Sequence, residues 1–156
     1  MLEIRKRLWD RYVPKAFAVR EEYEAALAAK KPGDPEPTPK FAVEIHCLDA
    51  GEARAYQKRI VLKTRKDGTI DLPNAQQIDE EIFARNVRCL EPHAVITDED
   101  NGAKTALSTP ELLWKLGPPE LVRELQEAIA DISVLEAGRR DGSSSQSGGS
   151  PRATTP

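Results

Sequence analysis

The sequence predicts a small α+β domain, predominantly helical, with about four to five helices beside a short antiparallel strand element. Three observations predict it. Residues 41–48 (FAVEIHCL) alternate in the strand period, placing Phe41, Val43, Ile45 and Cys47 on one face. Two later segments repeat apolar residues at helical spacing, one around Ile78, Ile82, Phe83, Val87 and Leu90 and one from Leu121 to Leu135. The Pro-rich stretch 32–40 and the Gly/Ser-rich end 138–156 are too polar to offset their ordering entropy, so they read as a linker and a disordered tail. An N-terminal helical segment, 1–31, and a main domain, 41–137, remain.

Each element has its own signal. Residues 2–30 read as helix in two pieces: Leu2, Ile4, Leu8, Trp9 and Tyr12 mark the first, Pro14 interrupts, and Phe17, Tyr23, Ala26 and Leu27 continue on an Ala/Glu-rich second piece. After the strand at 41–48, Asp49 and Glu52 form a capping pattern for a helix through Ala53, Tyr56 and Ile60 that ends by Asp67-Gly68. Residues 60–64 fit a strand equally well. Asn74 and Gln77 repeat the capping pattern for a helix that Pro92 stops. A hairpin follows, with residues 94–97 and 104–107 flanking Asp98-Glu99-Asp100-Asn101-Gly102. Ser108-Thr109-Pro110-Glu111 starts a short helix closed by Gly117, and Pro118-Pro119 opens the last helix, with Gly138 at its expected C-cap.

Charge is unevenly distributed. Residues 1–31 carry eight basic and five acidic side chains, whereas residues 71–138 carry five basic and fourteen acidic, a balance of −9. The acidic half repels phosphate backbones, which leaves the cluster Arg5, Lys6, Arg7 and Arg11 as a solvated helix face and disfavours nucleic-acid binding. Two cysteines make no disulfide framework, and the charged N-terminus resembles neither a signal peptide nor a membrane span. The expectation is a cytoplasmic protein with reduced thiols and no membrane partner.

The chemistry-bearing residues do not assemble into a motif. His46-Cys47 and Cys89…His93 offer four ligand types, but neighbours on a strand point to opposite faces and Pro92 interrupts the i, i+4 pair, so no metal is expected. Asp98, Asp100, Asn101 and Gly102 lack the calcium-loop spacing and read as a polar hairpin tip. Glu80-Glu81 sits on a solvent face. The reading is of a non-enzyme without cofactors that works through its surface. Leu121, Leu125, Ile129 and Ile132 on the last helix serve either as core or as a partner or self-association seam. Trp9 and Tyr12 are candidate aromatic anchors, for a partner or for the parent domain.

The order of these pieces resembles the tail assembly chaperones of siphophage tail gene clusters. The matching features are Tyr12-Val13-Pro14, FAVEIHCLDAGEARAYQ, EEIFARNVRCLE, the hairpin, TPELLWKL, and PPELVRELQEAIADISVLEAG before a polar tail, together spanning residues 13–138. The Ala/Glu-rich N-terminal segment and the Pro-rich linker depart from that pattern. The resemblance implies a protein of the host cytoplasm that coats the long, helical, apolar tape measure protein and is shed as tail tube subunits add. It also implies the tail tube protein as a second partner, a possible homo-oligomer, and a Gly/Ser tail suited to tethering a frameshifted extension. Other classes fit the residues as well: a minor structural virion protein of the tail or head–tail connector, a generic protein-interaction adaptor, or a DNA-associated module using the basic N-terminus.

Overall fold

The computed structural model describes residues 9–141, with side chains through residue 133. Arg5, Lys6 and Arg7, the tail from residue 142, and the side chain of Leu135 lie outside that description. Among the described residues five helices and short antiparallel strands form an α+β fold. In chain order they are β1 (Asp10–Tyr12), a 3-10 turn (Ala16–Ala18), α1 (Val19–Ala29), β2 (Val43–Ile45), α2 (Ala50–Arg59), β3 (Lys63–Thr64), β4 (Ile70–Asp71), α3 (Ala75–Asn86), β5 (Val87–Cys89), β6 (Val95–Thr97), β7 (Lys104–Ala106), α4 (Pro110–Leu116) and α5 (Pro119–Asp141).

The central sheet is antiparallel in the order β1-β2-β5. Its register pairs Tyr12 with Val43 and Val43 with Cys89, and places Arg11, Glu44 and Arg88 in one row. Opposed residues share a face, so Val43, Ile45 and Val87 point into the core while the Arg–Glu–Arg row lies on the other side. The alternation expected at residues 41–47 holds: Phe41, Val43, Ile45 and Cys47 are all buried. α5 covers the inner face with Leu121, Leu125 and Ile129, and Phe83 of α3 meets Trp114 of α4 with ring centroids 5.3 Å apart.

Three expectations need correction. Asp10–Tyr12 is a strand, not helix: Val13-Pro14 favours extended backbone just downstream, and the open edge of β2 satisfies its backbone groups. The helix expected to run to Pro92 ends at Asn86, because Val87–Cys89 pairs with β2 instead. Asn86 marks the junction, its side-chain amide donating to the Ile82 carbonyl at 2.7 Å. Gly138 lies inside α5, which extends to Asp141.

Elsewhere the capping chemistry follows expectation in part, with two exchanges of roles. Asp49 caps α2 by accepting the Glu52 N–H at 2.8 Å, and Thr109, rather than Ser108, caps α4 by accepting from Leu112. Asn74 makes no side-chain cap on α3. It ties the end of α2 instead, donating to the Arg59 carbonyl and accepting from the Val61 N–H. α2 ends at Arg59, short of Ile60 and of the expected stop at Asp67-Gly68, and of residues 60–64 only Lys63–Thr64 form a strand. Gly117 closes α4 where a Cβ would collide with the Leu113 carbonyl. Pro39, at the end of the Pro-rich strap, is buried. No described helix is long and apolar enough to cross a membrane.

Candidate functional site

The residues singled out by sequence separate into different environments. Leu121, Leu125 and Ile129 are 4%, 0% and 4% exposed, so the fold itself occupies them. Ile132 is half-buried and, with Tyr12, lines a depression also formed by Ala128, Glu124 and Asp131. Tyr12 lies under the Arg20 guanidinium, 4.9 Å from ring centroid to cation. Burial, with the Glu124 carboxylate second, pushes its phenol above the ordinary value. Trp9 is spent on an internal stack: its ring lies 4.7 Å from His46, with Arg88 3.8 Å above it. His46 Nδ1 in turn sits 3.2 Å from the Asn86 side-chain oxygen.

The ligand-type residues do not converge. Among the described residues no three His, Cys, Asp or Glu side chains are placed to hold a metal ion. Cys47 is buried, and burial, followed by the nearby Glu111, raises the Cys89 thiol to about 11. Such a thiol is a poor nucleophile near neutral pH. In the β6–β7 turn, Asp98 and Asn101 use their side-chain oxygens on the N–H groups of Asp100 and Ala103. Glu81 of the Glu80-Glu81 pair is engaged by both terminal nitrogens of Arg59.

A different surface combines exposed apolar side chains with an apolar cavity. A groove of about 310 Å³ opens between the 3-10 turn, the start of β2 and the β6–β7 hairpin. Phe41, Leu107 and Leu121 form its floor, and Phe17 and Val95 stand on its rim, 64% and 54% exposed. Leu121 is thus the member of the α5 stripe that reaches this groove, where it contributes to the floor.

The rim is built at a conformational cost. Phe17 and Ala18 both have φ of +57°, the left-handed region that costs an L-residue roughly 1–2 kcal/mol. Surrounding bonds hold this turn. The Glu124 carboxylate of α5 accepts the Lys15 N–H at 2.7 Å and the Ala16 N–H at 3.3 Å. Arg20 donates its backbone N–H to the Pro14 carbonyl and its side-chain Nε to Val13. Two strained residues in succession are therefore maintained while a large apolar ring stays in solvent. Strain of this kind gathers at binding sites, where the surrounding structure over-determines it. Sequence reasoning assigned Phe17 to a helical face and Val95 to a hairpin. No composition signal marks a left-handed turn built from Phe and Ala.

Compared with family models, curated proteins and solved structures, the chain finds no match.

Proposed function

We propose that this chain is a tail assembly chaperone of a siphophage-type bacteriophage that binds the tape measure protein and keeps it soluble until the tail tube forms around it. The observation that carries the proposal is the exposed Phe17–Val95 rim over an apolar groove, held open by a strained turn. An aromatic presented on a rigid support beside an apolar cleft suits capture of one face of an amphipathic helix. Burying the Phe17 ring on a client adds about 1–2 kcal/mol per engaged site. Affinity for a long client then comes from repetition along it rather than from any single contact.

The order of motifs along the chain supports the same reading, as does the charge distribution. Fourteen acidic side chains in residues 71–138 give the loaded complex a repulsive, hydrated exterior. The tail tube protein is the second expected partner, and the host cytoplasm the site of action. Co-expression with the tape measure protein of the same genome tests the proposal. The wild-type chain is expected to move the client into the soluble fraction, and Phe17→Asp with Val95→Asp to abolish this while leaving the chain folded. A client that stays insoluble, or a chain recovered as a stoichiometric part of purified virions, would overturn it. The second result would favour a structural tail or connector component.

A further inference from the structure

We infer that Glu124 is the positioning residue of the apolar groove: its carboxylate, carried on α5, fixes where the Phe17 ring stands relative to the groove floor. Glu124 thereby sets client affinity without touching the client, a consequence that rests on the function proposed above.

Floor and rim are both tied to one helix. Leu121 of α5 is buried and contributes to the floor. Residues three apart are neighbours on a helix surface, and Glu124 lies one such step along α5, half-buried and lining a depression beside Phe17. Its two oxygens accept the Lys15 N–H at 2.7 and 3.0 Å and the Ala16 N–H at 3.3 and 3.4 Å. Hydrogen bonds to an ionised acceptor are roughly twice as strong as neutral ones. Lys15 and Arg123 line the same depression, yet among the described residues neither forms an ion pair with Glu124, so the carboxylate is left to the backbone.

The turn needs that hold. Ala16 and Val19 are buried in the core on either side, and the two residues between them bridge outward with φ of +57° at both. A return of either residue to the right-handed region rotates φ by about 120° and re-aims the Phe17 ring. Arg20 does not supply the same constraint. Its backbone N–H and its Nε donate to the Pro14 and Val13 carbonyls, so these bonds close the segment on itself. Of the hydrogen bonds on this turn among the described residues, only those of Glu124 reach α5. Removing the carboxylate therefore frees the rim from the floor while leaving Leu121 and the core stripe in place.

Two readings of the full chain test this. Left-handed backbone brings a residue's own amide and Hα protons close together, so the wild-type chain should give strong intraresidue amide–Hα Overhauser peaks at Phe17 and Ala18. Glu124→Ala is expected to lose those peaks and to weaken binding to the tape measure protein about tenfold, with a urea transition that shows it folded. Glu124→Gln keeps one acceptor oxygen and should fall between; it carries both comparisons if the Ala variant does not fold. Ala18→Gly loosens the same turn, so the double variant with Glu124→Ala should bind about as weakly as the weaker single variant. Peaks at positions 17 and 18 that persist in Glu124→Ala overturn the inference. A double variant whose loss is the product of the two single losses also overturns it, because Glu124 would then act on the client directly. A wild-type chain that binds no tape measure protein removes the client reading, and the Overhauser peaks then decide the hold of Glu124 on Phe17 by themselves.

Discussion

Asn86 is 1% exposed, donates to the Ile82 carbonyl and pairs with His46, whose backbone N–H donates to the Asn86 carbonyl at 3.0 Å. One buried residue thus joins the last turn of α3 to His46, just past the end of β2. Asn86→Leu removes the side-chain bonds to the Ile82 carbonyl and to His46 while keeping the backbone bond, and is expected to lower unfolding stability by about 2 kcal/mol in urea titration. An unchanged midpoint would show the amide to be dispensable. Cys89 provides a residue-scale test by pH. With its thiol raised to about 11, its thiolate fraction at pH 8 is about a hundredfold below that of an ordinary thiol, and alkylation should slow in proportion. The sign of the stability effect follows. Above the ordinary thiol range the unfolded chain has released a proton that the folded chain keeps, so this group's contribution falls as pH rises toward 11. Alkylation at the rate of a free thiol in the native protein would contradict the burial.

At the scale of elements, the strained turn makes the clearest prediction. Ala18 is exposed and left-handed, so Ala18→Gly removes strain and little else. It should raise stability by about 1 kcal/mol, read as an increase in thermal midpoint. If the turn also presents Phe17 through its rigidity, the same variant should bind client more weakly while being more stable. The elements differed in how legible they were from sequence. The β2 alternation, the caps at Asp49 and Thr109, and the β6–β7 turn are local chemistry and could be read from adjacent residues. β1 and β5 could not. Each is three residues long, too short for a period to emerge, and each is a strand only because β2 offers a partner on either side. Val87 fitted the helical stripe of α3 and is buried in the same core, but from a strand. The groove was invisible for a related reason: its floor joins Phe41, Leu107 and Leu121, which only the tertiary fold brings together.

For the whole molecule, the α5 stripe is mainly core and touches the candidate surfaces only at its ends, through Leu121 and Ile132. Leu121, Leu125 and Ile129 build the core, and the exposed or partly exposed apolar surface includes a rim at Phe17 and Val95 and a depression at Tyr12 and Ile132. The central claim is that Phe17 is the point of client contact, and site-specific photocrosslinking tests it most directly. Phe17→p-benzoylphenylalanine, with exposed Gln57→p-benzoylphenylalanine on α2 as control, would be irradiated with the tape measure protein. The account predicts a covalent adduct from position 17 and none from position 57. Equal labelling from both positions, or an adduct from position 57 alone, would contradict it.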